Sequence, residues 1–197
     1  MAKFELDRMV EFHKLLHAFA RVERTGLRIH GSDAKESDIE HSFFLAMLAW
    51  YIIETAQLPL DVSQAMRYAL VHDFVEVYAG DTYILDSEGA KTKHEREEAA
   101  RQRLEKEFPE FKALHETILA YEAQADEESR FIKALDKVDP VLSNYLQSGR
   151  GWKEMGVDFD WLVLHKREKL ASHVDMRELF EEIIARIEPR KSDFFPK

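Results

Sequence analysis

Apolar residues along the chain recur every three or four positions, the spacing of an amphipathic helix, and the strict alternation typical of a strand is rare. The first stripe, formed by Met9, Phe12, Leu16 and Phe19, predicts a helix over about 5–21. Only seven Gly and five Pro interrupt the 197 residues, so long helices can form with few breaks. The pattern therefore predicts an all-α chain.

A second helix is expected over 39–56, because IEHSFFLAMLAWYIIETA is apolar nearly all round. Such a helix is expected at the centre of a bundle, where neighbouring elements cover every face. Ser37 or Asp38 can cap its N-terminus by accepting a bond from a backbone N–H. The preceding stretch, IHGSDAKESD, is polar and predicts a loop.

Six more helical segments are predicted, with loops expected over 79–92 and 149–160. The first of them is capped by Asp61 or Ser63 and is expected to end at about Val77. The others are expected at about 93–108, 109–121, 127–146, 161–171 and 176–187. Pro140 has no backbone N–H, so it is expected to kink or divide the helix that contains it, just after Asp136.

Charge and length narrow the classes of function. The chain carries 28 Lys and Arg against 38 Asp and Glu, a net charge of −10, which argues against nucleic acid polymers or anionic membranes as partners. The longest apolar run, 43–53, is about half the length that a membrane crossing requires. MAKFELDRMVEF lacks the apolar centre of a signal peptide. The absence of cysteine fits a reducing cytoplasm. With no break in composition, we expect one domain over 1–197.

The sequence has no cysteine, so any metal site must be built from His, Asp and Glu. Such residues interrupt an otherwise apolar helix at ALVHDFVEVYAGDT, residues 69–82. His72 and Glu76 lie four positions apart and Asp73 and Glu76 three apart, so the three side chains can share one helical surface. A buried carboxylate without a counter-charge costs several kcal/mol. The stretch therefore requires a cationic side chain or a divalent metal.

His41 and Asp136 offer further metal ligands in apolar surroundings, and a bundle can bring three helices together around one ion. A structural role stays open for each group taken alone: a hydrogen-bonded core histidine for His41, an ion pair for Glu76 and a turn residue for Asp81. The candidate ligand set is His41, His72, Asp73 and Asp136.

The order of these ligands resembles the H…HD…D signature of the HD-domain metal-dependent phosphohydrolases. The stretches IEHS, ALVHDFVEVYAGDT and ALDKVD are similar to those of the bacterial 5'-deoxynucleotidases and their small eukaryotic HD-domain relatives. The likeness covers about 21–146 and leaves about 160–190 as a C-terminal helical extension without a counterpart. It implies an HD-type helical bundle with a metal site between its central helices.

The resemblance implies a hydrolase that removes the 5'-phosphate from (deoxy)ribonucleoside monophosphates with metal-activated water. One divalent metal would bind the four ligands, and two His plus two Asp suit Mn, Co, Mg, Zn, Ni or Fe. The family's essential acids fall on Glu76 and Asp81, and Asp81 is also a candidate for binding substrate. A catalytic, phosphate-binding arginine falls on Arg24, with Arg28 as the competing assignment.

One position departs from the bacterial pattern. The bacterial enzymes have a tryptophan directly after the arginine, where this chain has Thr25, like the eukaryotic branch, so a strict preference for deoxyribose is not implied. Two alternatives stay open: a deoxynucleoside triphosphate triphosphohydrolase, and a nucleotide-binding module with a structural metal. The resemblance also implies a homodimer, and the apolar DFFP near the C-terminus is expected to pack against the body or a partner.

Overall fold

A computed structural model describes residues 4–81 and 87–196, without the side chains of 26–27 and 87–90. The expected helical fold is confirmed, with one small two-stranded sheet added. The elements are, in chain order, α1 Leu6–Phe19, β1 Glu23–Arg28, β2 Lys35–Ser37, α2 Asp38–Ala56, α3 Val62–Val71, α4 Glu76–Ala79, α5 Ser87–Glu107, α6 Lys112–Glu122, α7 Glu127–Leu146, α8 Arg150–Glu154, α9 Phe159–Lys169, α10 Val174–Ile187, a 3₁₀ turn Glu188–Arg190 and α11 Lys191–Phe194.

The main core lies where α2, α3 and α7 meet and extends under α9 and α10. Leu45, Tyr68 and Leu135, one from each of the three central helices, are fully buried there. A second apolar cluster joins α1, α5 and α6 around Phe19 and Leu104. The four candidate ligands described below lie on these three helices or directly after them, so the main core holds them in place.

The first helix follows the expected stripe only in part. Phe19 is buried, but Met9 is 57% exposed and Leu15 takes a buried position instead. The expected burial of Met9 is therefore wrong, because Met9 lies on a face of α1 that the neighbouring elements leave exposed.

Helix α2 begins with a capping box. The Ser37 hydroxyl accepts from the Glu40 N–H, and the Glu40 carboxylate accepts from the Ser37 N–H at 2.9 Å. The expectation that neighbours cover this helix on every face is wrong. Its inner face packs on α3 and α7, whereas its outer face is apolar and exposed. That outer face consists of Ile39, Phe43, Phe44, Met47, Trp50 and Tyr51.

The expected loop before α2 is instead partly a hairpin, in which β1 and β2 pair antiparallel with an irregularity between Glu23 and Arg28. The third predicted helix, expected to continue to about Val77, ends earlier. Asp61 caps α3, which ends at Val71; the chain then turns and resumes as the short α4. A run of apolar residues does not distinguish a continuous helix from two short ones joined by a turn.

Four further expectations need correction. Helix α5 begins at Ser87, so the loop predicted over 79–92 is wrong for its last residues, and 82–86 lie outside the described part of the chain. Helix α6 begins at Lys112 rather than at Pro109, and α8 forms within the expected loop over 149–160. Pro140 does not divide α7, which is capped by Asp126 and runs on to Leu146 because its buried face holds it in the core.

The C-terminal segment packs against the body of the protein. Phe194 stacks on Tyr145 with ring centroids 5.7 Å apart, and Phe195 stacks on Trp152 at 4.6 Å. Of the two places expected for DFFP, the body is the one observed. None of the described helices combines the length and apolar character that a membrane crossing needs.

Candidate metal centre and active site

Three central elements bring the four candidate ligands together. His41 lies one turn into α2, His72 and Asp73 directly follow α3, and Asp136 lies in the middle of α7. One ligand atom from each residue lies within 4.8 Å of the others. His41 is fully buried, His72 and Asp136 are nearly so, and Asp73 is 20% exposed through its side chain. The cluster therefore opens to solvent on the side of Asp73.

His72 presents a free nitrogen to the two carboxylates. Its Nδ1 lies 2.8 Å from the Ala69 carbonyl oxygen, to which it donates, so Nε2 carries the lone pair. Nε2 lies 3.0 Å from Asp73 Oδ2 and 3.7 Å from Asp136 Oδ1. Among the described residues it has no hydrogen-bond partner. A buried lone pair facing two carboxylate oxygens fits a cation bound between them.

The second histidine is held between two acids. His41 Nε2 lies 3.1 Å from Asp136 Oδ1, and Nδ1 lies 3.2 Å from Asp139 Oδ2. Burial lowers the pKa of His41, but its bonds to Asp136 and Asp139 outweigh burial and raise the pKa to about 10. Without a metal the carboxylates draw a proton onto His41, so the site requires positive charge.

Both aspartates of the candidate ligand set are held as anions. Burial raises the pKa of Asp73, but the neighbouring His72 and the charge of Arg24 lower it below its usual range. Burial likewise raises the pKa of Asp136. Lys137, with Nζ at 2.6 Å, and the two histidines outweigh burial, so the pKa of Asp136 lies well below its usual range. Two imidazoles and two ionised carboxylates are a donor set that suits a divalent cation.

Of the two candidate arginines, Arg24 lies at the cluster. Its Nη1 donates to Asp73 Oδ2 at 2.7 Å and lies 3.5 Å from Asp38 Oδ1. Arg28, four residues along β1, instead pairs with Glu154 at 3.0 Å near the surface. The hairpin missing from the sequence prediction is what carries Arg24 to the site.

Glu76 is 3% exposed and forms a second group of acids with Asp38 and Asp73. Burial, followed by the charges of Asp73 and Asp38, raises the pKa of Glu76 to about 9. Lys93 Nζ, on α5, lies 3.4 Å from Glu76 Oε1, so the ion pair that the sequence left open for Glu76 is present. Glu76 therefore lies beside the candidate ligands, and without a metal its carboxyl group favours the protonated form.

Asp81 lies at the mouth of the same site. Its Oδ2 accepts from the backbone N–H of Thr25 at 2.9 Å, so β1 holds this carboxylate in place. Arg24, Thr25, Asp73, Glu76 and Asp81 all line one cavity.

Sequence reasoning missed two acids beside the ligands, Asp38 and Asp139. Asp38 was considered only as a cap, but Ser37 caps α2 and Asp38 points into the core, fully buried. Neither of its carboxylate oxygens has a hydrogen-bond partner among the described residues, and burial raises its pKa to about 7. The available signal was spacing: Asp38 precedes His41 by three residues and Asp139 follows Asp136 by three, each on the same helical face.

The cavity has a volume of about 730 Å³ and extends from the ligand cluster to residues of α7, α8 and α9. The wall on these helices combines lysines with large apolar side chains. It includes Lys133, Lys137, Trp152, Met155, Trp161, Leu162, His165, Lys166 and Lys169.

Comparison with known proteins gives consistent relatives. A family model described as HD domain matches residues 18–177, past the end of the likeness expected from the sequence. The chain is 33% identical to the 5'-deoxynucleotidase HDDC2 of Mus musculus over 68% of this chain and 67% of that protein. It is 28% identical to the 5'-deoxynucleotidase YGK1 of Saccharomyces cerevisiae, over 73% of this chain and 69% of that protein. The chain thus spans about two thirds of the length of these relatives.

Solved structures show the same likeness over most of the chain. A predicted metal-dependent phosphohydrolase from Magnetospirillum magnetotacticum MS-1 is 28% identical with a TM-score of 0.77, over 97% of this chain and 96% of that one. A conserved hypothetical protein from Pyrococcus furiosus is 25% identical with a TM-score of 0.62, over 91% and 98%.

Proposed function

Because the chain belongs to the HD-domain family, we propose that it is a metal-dependent phosphohydrolase that removes the 5'-phosphate from (deoxy)ribonucleoside monophosphates. The observation that carries the proposal is the meeting of four ligands within 4.8 Å, with Glu76, Asp81 and Arg24 around the same cavity. A purely structural metal site has no need of these three further groups. The names of the curated relatives support the same reaction.

The family implies a divalent metal, and His41, His72, Asp73 and Asp136 would hold it. Such an ion polarises a phosphate oxygen and lowers the pKa of water from 15.7 toward about 7. We propose a single ion; two imidazoles and two carboxylates accept Mn, Co, Mg, Zn, Ni or Fe.

The chain's own residues supply binding and proton transfer. Arg24, whose guanidinium lies beside Asp73, neutralises charge on the phosphoryl oxygens as the bond to the ester oxygen breaks. Glu76 is buried beside the candidate ligands, and it serves as the general acid or base for the 5'-oxygen or the attacking water. Asp81, held by Thr25, orients the water or a sugar hydroxyl at the mouth of the cavity.

The assembly belongs to the same proposal. We propose one domain over 1–197, since α8 and α9 line the same cavity as the ligands. The exposed apolar face of α2 is proposed to pair with its copy in a homodimer, because an apolar helix face of this extent is typical of an association surface. A cytoplasmic location accords with a chain that has no cysteine.

The test is a panel of nucleoside mono- and triphosphates with Mn, Co, Mg and Zn, measuring both released inorganic phosphate and released tripolyphosphate. We expect phosphate from monophosphates, with kcat reduced about 10²- to 10⁴-fold in Glu76→Gln. The exposed Glu110→Gln serves as the matched control and should match the wild type. Release of tripolyphosphate from triphosphates would instead identify a triphosphohydrolase, and tight binding without any hydrolysis would identify a binding module.

A further inference from the structure

Part of the cavity is left unexplained by phosphate hydrolysis. A phosphate group needs only the ligand cluster and its neighbouring charges, yet the cavity continues to α8 and α9 with a volume of about 730 Å³. That volume lies within the range of small-molecule sites, about 300–1,000 Å³. The additional wall must therefore meet the part of the substrate that lies beyond the phosphate.

Trp161, on the first turn of α9, is the most distinctive residue of this wall. Its side chain lines the cavity and stays 38% exposed, whereas its helix neighbours Leu162 and Val163 are buried in the core. Trp152 also reaches the cavity, but it is 5% exposed and its ring stacks on Phe195. Trp152 thus serves the core, and the Trp161 indole is available to a ligand.

The Trp161 ring is held in a fixed orientation by His165, one turn further along α9. The two rings are stacked, with centroids 4.9 Å apart and planes at 10°. Burial and the charges of Lys166 and Lys169 lower the pKa of His165, so its imidazole is neutral at pH 7. A flat, preordered aromatic pair presents a surface that suits another flat ring, because stacking requires little loss of conformational freedom.

The charge of the wall also selects the ligand. Lys133, Lys137, Lys166 and Lys169 line the cavity in a chain whose net charge is −10. Lys166 is 6% exposed and donates to the Lys137 carbonyl oxygen at 2.7 Å, which leaves further N–H donors on its ammonium. Lysines beside an exposed indole favour a ligand that is both anionic and aromatic, as a nucleotide is.

We propose that Trp161, supported by His165, is the surface on which the nucleobase of the substrate stacks. This inference rests on the proposed function and adds that α9 distinguishes nucleotides from other phosphate monoesters. It gives the C-terminal part of the chain a role in substrate selection.

Kinetics provide the first test. Base stacking on an aromatic side chain is worth about 1–3 kcal/mol, so Trp161→Ala should raise KM for deoxynucleoside monophosphates about 5- to 150-fold with kcat little changed. Trp161→Phe should recover most of the loss. Ribose 5-phosphate, which lacks a base, should be hydrolysed equally by all three proteins. Leu164→Ala, on the same helix and 72% exposed, is the matched control.

Fluorescence provides a second test that does not depend on turnover. Binding of dGMP to the metal-loaded Glu76→Gln protein should quench tryptophan emission, and the quenching should be lost when Trp161→Phe is added. Quenching without hydrolysis by the wild type would reject the proposed function and leave the stacking surface intact. Hydrolysis of nucleotides with a KM that is unchanged in Trp161→Ala, or equally raised for ribose 5-phosphate, would overturn the stacking surface alone.

Discussion

The carboxylate of Asp139 lies 3.2 Å from Nδ1 of His41, while the other ring nitrogen of His41 lies 3.1 Å from Asp136. A carboxylate in this position fixes the orientation and tautomer of a metal-binding imidazole and increases its basicity. We therefore expect Asp139 to position His41 without contacting the metal itself.

Replacing Asp139 should weaken metal binding without preventing it. In Asp139→Asn a neutral amide replaces the carboxylate that fixes the orientation and tautomer of the His41 imidazole. We therefore expect metal affinity to fall about 10- to 100-fold. Calorimetric titration of the metal-free protein measures the change, and excess metal should restore activity. Asp33→Asn, at an exposed carboxylate, is the control. An affinity equal to that of the wild type would rule out this role for Asp139.

Substitution of the two arginines of β1 should have different effects. Arg24→Gln removes the guanidinium that lies 2.7 Å from Asp73, and we expect kcat/KM to fall about 10²- to 10³-fold, the loss typical of one transition-state donor. Arg28→Gln breaks the exposed pair with Glu154 and the bond to the Asp33 carbonyl oxygen. An exposed ion pair is worth less than about 1 kcal/mol and neither contact touches the site, so its activity should stay near that of the wild type. Steady-state kinetics compare the variants, and the reverse ranking would assign the role to Arg28.

Lys166 should make stability depend on pH in the alkaline range. Burial and then the charge of Lys137 lower the pKa of Lys166 from 10.5 to about 8, so the folded protein favours the neutral amine. The stabilisation from this group is complete above pH 10.5 and is lost as pH falls through about 8. At pH 7 the wild type therefore carries a buried ammonium group on Lys166, which lowers its free energy of unfolding.

Removing that charge should stabilise the ligand-free protein. We expect Lys166→Met to raise the free energy of unfolding at pH 7 by about 1–3 kcal/mol, since one pKa unit corresponds to 1.36 kcal/mol. The difference from the wild type should shrink toward pH 10. Urea unfolding at both pH values measures it, and Lys169→Met, at an exposed lysine of the same wall, is the control. A difference that is constant with pH would contradict the shifted pKa.

Most of the helices and the candidate ligand set could be predicted from the sequence, because both depend on local patterns of residues. His72 and Asp73 interrupt an apolar run, and a buried charge needs a partner, so their environment could be inferred from local pattern alone. The contact between Arg24 and Asp73 joins residues 49 positions apart through an unpredicted hairpin. The exposure of Trp50 on α2 could not be predicted from the sequence either, because an apolar pattern does not tell which faces of a helix neighbouring elements cover.

The C-terminal segment offers a final test, at Gly149. This residue has φ of +70°, and a Cβ there would lie 1.8 Å from the Phe194 carbonyl oxygen, so α11 could not keep its place on α8. Gly156 has φ of +64° with no atom within 4 Å of the position of an added Cβ. An alanine at 156 therefore introduces backbone strain alone, whereas an alanine at 149 introduces strain and a collision. Gly156→Ala should cost about 1–2 kcal/mol, and Gly149→Ala a further 1–3 kcal/mol from overpacking. Urea unfolding compares them; equal losses would mean that α11 does not require the close approach at Gly149.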